Sequence, residues 1–284
     1  ADRCPRRPGA TQAPRSAPAV KLAFLGTPDI AVATLRGLHD AGHEIDVVVT
    51  GADARRGRGT TTTPSPVKAL AAELGLRVEH DPDVLLESDA PLAVVVAFGR
   101  ILKPHLLAHM PMVNLHFSLL PRWRGAAPVE RAILAGDVET GVCVMAVEEG
   151  LDTGGVYARA TTPVADKTLA ELWDELSRVG TELLVDWLPT AFGDGVLVEP
   201  EPQVGEVTYA AKLTTDDRRV DLDAPATRCM AVVRLGNAWT VVDGVRLKIR
   251  EARIGADGAF EMVTVVPEGG RPMAYADWLR GRSS

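Results

Sequence analysis

Apolar residues recur along this chain in two rhythms. Mostly apolar stretches over 20–25, 45–50, 92–98 and 112–117 have the length of buried strands, and 92–98 is apolar throughout. Between them, apolar positions return every three or four residues, as on one face of a helix. The stretch 28–41 predicts such a helix, with Gly42 placed to end it. Ser65-Pro66 is a good N-cap and first-turn pair, and Val67, Leu70, Ala71 and Leu74 fall on one face before Gly75. Thr168-Leu-Ala-Glu171 is a capping-box pattern that opens a long helix carrying Leu169, Leu172, Trp173, Leu176 and Val179. Strands alternating with helices predict an α/β fold with a parallel, Rossmann-like sheet.

Beyond residue 192 the rhythm changes. The stretch 193–206 holds Pro200, Pro202 and three glycines and reads as a linker. Thr240 to Ile249, broken by Asp243-Gly244, is a hairpin signature, because Asp-Gly accepts the positive φ angles of a type I′ turn. Period-two alternation puts Arg246, Lys248 and Arg250 on one face of the second arm and Leu247 and Ile249 on the other. A small, mainly β unit with a basic face follows.

A length of 284 residues agrees with two units. The expected organisation is a disordered leader over 1–19, an N-terminal catalytic domain over 20–192, a linker over 193–206 and a C-terminal domain over 207–284. With 46% hydrophobic and 24% charged residues, the composition excludes disordered, collagenous and disulfide-stapled classes. The longest strongly apolar run, 92–98, is far short of the ~20 residues a membrane-spanning helix needs, so no anchor is expected. Cys4, Cys143 and Cys229 are widely spaced with no nearby His or second Cys; neither a disulfide framework nor a metal site is expected, and a reducing compartment is. The net charge of −7 divides into +3 over 1–20, −11 over 21–205 and +1 over 206–284. That balance argues against indiscriminate nucleic-acid binding, yet leaves room for a local basic strip to meet one phosphate backbone.

Gly26-Thr-Pro at the first strand end lacks the remaining glycines of a dinucleotide-binding turn, which disfavours a dehydrogenase. The densest candidate chemistry lies from Val113 to Pro128. On a strand, Asn114 and His116 project together, while Val113, Leu115 and Phe117 take the opposite face. Both polar residues sit near the carboxyl end of a predicted parallel strand, where open α/β sheets place ligands, and they run into a turn rich in Pro, Gly and Arg.

Asn114-Leu-His116, followed by Ser118-Leu-Leu-Pro121 and Arg124-Gly125, resembles the signature of the formyltransferases that use 10-formyltetrahydrofolate. The continuation through Arg131, then Gly136-Asp137, Thr140-Gly141 and Gly150-Leu-Asp152-Thr-Gly154, is similar to the members of that family that act on methionyl-tRNA. Gly57-Arg58-Gly59, Pro64 to Lys68, Thr208 to Leu213 and Arg234-x-x-Asn237-x-Trp239 extend the likeness from about Val20 to the last helix.

The resemblance implies a Rossmann-like formyltransferase domain followed by an OB-like, tRNA-binding β-barrel. It also implies 10-formyltetrahydrofolate as co-substrate, initiator methionyl-tRNA as partner, a monomer, and a cytoplasmic role in translation initiation. Formyl transfer to an amine passes through a tetrahedral carbon, so it needs a donor for the developing oxyanion and a group to manage the amine's proton. Asn114 suits the first task, His116 suits proton transfer or helping to hold the oxyanion, and the resemblance assigns Asp152 to orient and polarise that imidazole. It further assigns Phe98, Gly99, Ser118, Leu119, Leu120 and Pro121 to the folate pocket, and Arg55, Arg56, Arg58 and Lys212 to tRNA, joined by the basic face Arg246, Lys248 and Arg250. Phe117 stands where members often carry a small residue or proline, and Thr60 to Thr63 where they often carry lysines. A sugar-nucleotide or glycinamide-ribonucleotide formyltransferase would share Asn114, His116 and Asp152, and a non-catalytic folate- or RNA-binding protein could share the scaffold.

Overall fold

A computed structural model describes residues 19–55, 62–192 and 196–282. The expected leader, apart from residue 19, and Arg56 and Arg58 lie outside the described residues. The first part of the chain runs β1 (Lys21–Gly26), α1 (Ile30–Asp40), β2 (Glu44–Val49), β3 (Ala54–Arg55), β4 (Thr62–Thr63), α2 (Pro66–Glu73), β5 (Val78–Glu79), β6 (Ala93–Val96), α3 (Pro104–His109), β7 (Met112–His116), β8 (Arg124–Gly125), α4 (Pro128–Ala135), β9 (Glu139–Ala146), β10 (Val156–Pro163) and α5 (Leu169–Ala191).

Local chemistry explains the helix starts. Ser65 Oγ accepts the Lys68 backbone N–H at 2.9 Å, and the Thr168–Glu171 box is closed in both directions. Seven strands form one sheet in the order β10-β9-β7-β6-β1-β2-β5. β7, β6, β1, β2 and β5 are parallel, as the alternation of apolar runs predicts. β9 and β10 join antiparallel beyond β7, a pair absent from the sequence reading. Strand alternation divides the core: Leu22 and Phe24 face α1 and α5, while Ala23 and Leu25 pack with Leu85 and Leu106 on the other side.

The rest of the chain contains β11 (Tyr209–Ala210), α6 (Ala226–Arg234), β12 (Trp239–Val242), β13 (Val245–Ile254), β14 (Phe260–Pro267), β15 (Met273–Ala274) and α7 (Tyr275–Arg280). β12 to β15 form a small, separate antiparallel sheet. Its first turn has Asp243 at φ +48° and Gly244 at φ +77°, and Val242 pairs with Val245. Leu247 and Ile249 are buried, and Arg246, Lys248 and Arg250 are exposed, as the period-two reading predicts.

This sheet does not hang on a free tether. α6 packs on α4, and the main apolar cluster continues from the large sheet into Val232, Leu235 and Ile249. Arg131 pairs with Asp217, Arg228 donates to the Leu134 carbonyl, and Arg234 donates to the Lys167 carbonyl at 2.7 Å. The predicted linker also runs against the large sheet, since Glu201 exchanges two backbone hydrogen bonds with Val156 at the start of β10.

Glu130, in the first turn of α4, encloses its Oε2 without a hydrogen-bond partner among the described residues. Burial pushes this carboxyl above the usual glutamate range, outweighing its arginine neighbours. The folded state therefore holds a proton that the unfolded chain releases, and stability falls as pH rises through that window. Glu130→Gln is expected to raise the unfolding temperature at pH 8 and to leave it unchanged at about pH 3, where both side chains are neutral in the folded and unfolded chain. Equal unfolding temperatures at pH 8 would show that the buried charge carries no penalty.

Candidate active site

β7 carries its residues as the two-residue period demands. Val113, Leu115 and Phe117 enter the core on the α5 side, and Asn114 and His116 turn to the opposite face. They open into a cleft of about 690 Å³ at the carboxyl ends of β6 and β7. Asp152 reaches the same cleft from the turn between β9 and β10. Residues 36 positions apart in sequence thus meet at one wall, with His116 Nδ1 at 3.6 Å from Asp152 Oδ2.

The imidazole is held by one hydrogen bond and has the carboxylate beside its other nitrogen. Its Nε2 lies 2.9 Å from the Trp123 carbonyl, which can only accept, so Nε2 carries a proton. In the neutral ring Nδ1 is then the free base, and it faces the carboxylate. Asp152 is itself anchored, because its Oδ2 accepts the Gly125 N–H at 2.7 Å. Its backbone lies in the left-handed region at φ +50°, as does that of Ala97, at φ +45°, which also lines the cleft. Such non-glycine conformations cost of order 1–3 kcal/mol each and concentrate at functional sites. Gly154 follows because a Cβ there would meet the Ala146 carbonyl oxygen at 2.0 Å. Among the described residues the Asn114 side-chain amide has no hydrogen-bond partner, so its donors are available to a ligand.

The Trp123 carbonyl owes its position to a braced turn. Trp123 N–H donates to Thr208 Oγ1 at 2.9 Å and its indole N–H to Asp137 at 2.7 Å, while Ser118 Oγ donates to the Arg122 carbonyl at 2.6 Å. Cys143 lies opposite His116 on β9, and burial pushes its thiol up, which keeps it protonated and unreactive.

Residues 20–188 match the family model described as Formyl transferase. The chain belongs to that family. The methionyl-tRNA formyltransferase of Halorhodospira halophila is 41% identical, over 93% of this chain and 97% of its own length. Two solved structures share the fold. Methionyl-tRNA formyltransferase from Clostridium thermocellum aligns with a TM-score of 0.58 at 14% identity, over 88% of this chain and 99% of that one. HypX from Aquifex aeolicus in complex with tetrahydrofolic acid aligns with a TM-score of 0.63 at 18% identity; 91% of this chain spans 46% of that longer one.

Within this formyl transferase, the residues singled out from sequence divide by place. Phe98 and Gly99 line the cleft with Asn114, His116 and Asp152. Ser118, Leu119, Leu120 and Pro121 do not: Ser118 is buried under the Arg122 carbonyl, Leu120 packs on Cys143 and Met145, and Leu119 lines a smaller hollow beside Trp123. A tight turn carries these four residues behind the wall of the cleft. Phe117 is buried and meets the Trp173 ring edge-on at 5.0 Å, and both border the cleft. Arg55 is exposed at the end of β3, opposite Thr62, and Lys212 is exposed just after β11. Arg246 stacks over the Trp239 ring at 3.9 Å. Sequence reasoning missed the roles of the Trp123 carbonyl and the Gly125 N–H, which lie within the signature stretch but act through backbone groups that residue identity does not mark, and of Trp173, read only as an apolar helix position. Among the described residues, no helix is long and apolar enough to cross a membrane, and no group of three acidic, His or Cys side chains could hold a metal ion.

Proposed function

We propose that this protein transfers the formyl group of 10-formyltetrahydrofolate to the amino group of methionyl initiator tRNA, with Asn114, His116 and Asp152 at the reacting centre. The convergence of these three side chains on one wall of a single cleft carries the reading. The similarity to methionyl-tRNA formyltransferases runs through the C-terminal sheet as well as the family domain, which favours tRNA over a small amine acceptor.

The cleft fits a flat, largely apolar heterocycle. Phe98, Leu102, Met145 and Val147 supply apolar walls, and the left-handed backbone at Ala97 and Gly99 exposes peptide groups at one edge. The bound folate supplies the activated formyl group. Asn114 donates from its amide to the formyl oxygen as charge gathers there. His116 Nδ1 takes the proton that the amine loses as it bonds to the formyl carbon, and Asp152 stabilises the resulting imidazolium; that proton passes to folate N10 as its bond to the formyl carbon breaks and tetrahydrofolate leaves. Trp123, through its carbonyl, keeps the ring in the tautomer that leaves Nδ1 free. Residues 20–192 form the catalytic part in this reading, and 207–284 the tRNA platform. The expectations of a monomer and of a cytoplasmic enzyme belong to it, the latter consistent with the free, buried Cys143 and Cys229.

Incubation with 10-formyltetrahydrofolate and charged initiator tRNA is expected to give formylmethionyl-tRNA. Formylation of an amino-sugar nucleotide in its place would assign the small-molecule reading. Changing Arg246, Lys248 and Arg250 together to Gln is expected to raise KM for tRNA and to flatten its dependence on salt, since each lost phosphate contact removes up to about 0.9 from the log–log slope. An unchanged slope would remove this face from the tRNA platform.

A further inference from the structure

The segment 200–210 grips both supports of the His116–Asp152 pair. Tyr209–Ala210 lies parallel to Arg124–Gly125, and the Gly125 N–H holds Asp152. Thr208 holds Trp123, whose carbonyl holds His116. One side chain in the segment ties the Asp152 loop to Arg124, which lies between Trp123 and Gly125. Gln203 Nε2 donates to the Asp152 carbonyl at 2.9 Å and to the Gly154 carbonyl at 2.7 Å, which uses both amide hydrogens. Its Oε1 accepts Nε and Nη2 of Arg124 at 3.1 and 2.7 Å.

The arrangement leaves no freedom in how the amide is oriented. Two carbonyls demand a donor pair and a guanidinium demands an acceptor, so the amide cannot be flipped without losing all four bonds. The held peptide is the strained one, since Asp152 stands at φ +50°. A left-handed backbone persists only where its surroundings over-determine it. Gly125 fixes the Asp152 carboxylate, Gln203 fixes its peptide, and Arg124 joins the two clamps through the residue next to Gly125.

We propose that Gln203 is a positioning residue that holds Asp152 beside His116 and so sets the rate of formyl transfer without touching either substrate. The inference rests on the proposed roles of Asp152 and His116. It also gives the predicted linker a task beyond connecting two parts of the chain.

Two substitutions separate this role from simple packing. Gln203→Met keeps the length and removes every hydrogen bond. Gln203→Glu keeps the acceptor for Arg124 and turns a carboxylate toward two carbonyls. Both are expected to lower kcat by ~10–100-fold, the scale of a reacting group misplaced by about an ångström. KM for 10-formyltetrahydrofolate and for charged tRNA should move by less than about threefold, because no ligand contact is lost. Adding either change to Asp152→Asn should cost little more than Asp152→Asn alone, since the two act through one side chain. Thermal unfolding of each variant identifies any that fails to fold, and the remaining one then carries the test.

Wild-type kcat in a folded variant, or losses that multiply with those of Asp152→Asn, would overturn the inference while leaving the proposed reaction standing. An equal loss in kcat and rise in both KM values would overturn it too, in favour of a general packing role. If the wild-type protein formylates no amine from 10-formyltetrahydrofolate, the proposed reaction falls first and this inference with it.

Discussion

His116→Ala and Asp152→Ala are each expected to lower formyl transfer by ~10²–10⁴-fold, the range for removal of a positioned acid–base group. The two losses should overlap when combined. His116 supplies the nitrogen that takes the amine's proton, and Asp152 acts on the reaction only through that ring, 3.6 Å away. A double variant that falls no further than His116→Ala confirms one unit, whereas multiplied losses would give Asp152 a separate task. His116 is buried on its strand, so the alanine variant leaves a void and loses stability. His116→Asn keeps a polar group near the Trp123 carbonyl without a base at the Nδ1 position, and should lose turnover with less effect on unfolding. Near-normal turnover in a folded His116→Asn protein would remove His116 from the mechanism.

Asn114→Asp should cost nearly as much, by a different route. The exchange preserves shape and replaces a donor by a negatively charged acceptor where the formyl oxygen gathers charge. Loss of one such donor is worth about 2.7–4 kcal/mol, or ~10²–10³-fold in kcat. Among the described residues Asn114 has no hydrogen-bond partner of its own, so the substitution breaks no internal bond and folding should survive. Folate binding, followed by quenching of intrinsic fluorescence, should change far less than turnover. A parallel fall in both would make Asn114 a residue that positions the bound folate and leave the oxyanion without its donor.

What could be read directly was what neighbouring residues encode among themselves. The Asp243-Gly244 turn, the Ser65 cap and the Thr168–Glu171 box are local chemistry, and each stands where the sequence places it. The mostly apolar stretches at 20–25, 45–50 and 92–98 alternate with helical patterns, and that alternation, not apolar content alone, predicts a parallel sheet with helices on its faces. The shared face of Asn114 and His116 follows from the pleat alone. The signature residues carried the family and, through it, Asp152.

The sequence by itself determined the α/β architecture, the hairpin with its basic face, and the strand that presents Asn114 and His116. Tertiary structure decided the rest. The run Val142–Met145 is as apolar as any parallel strand, yet it lies antiparallel to β7, because direction depends on how the chain returns and not on hydrophobicity. The folds of the chain after β7 turned Ser118–Pro121 away from the cleft and brought Trp123 to His116. Gln203 sits in a stretch whose prolines and glycines read as a linker, and nothing nearby marks it. Its four hydrogen bonds join residues 49 to 79 positions away, and such contacts exist only after the chain has closed on itself, where no local period can record them.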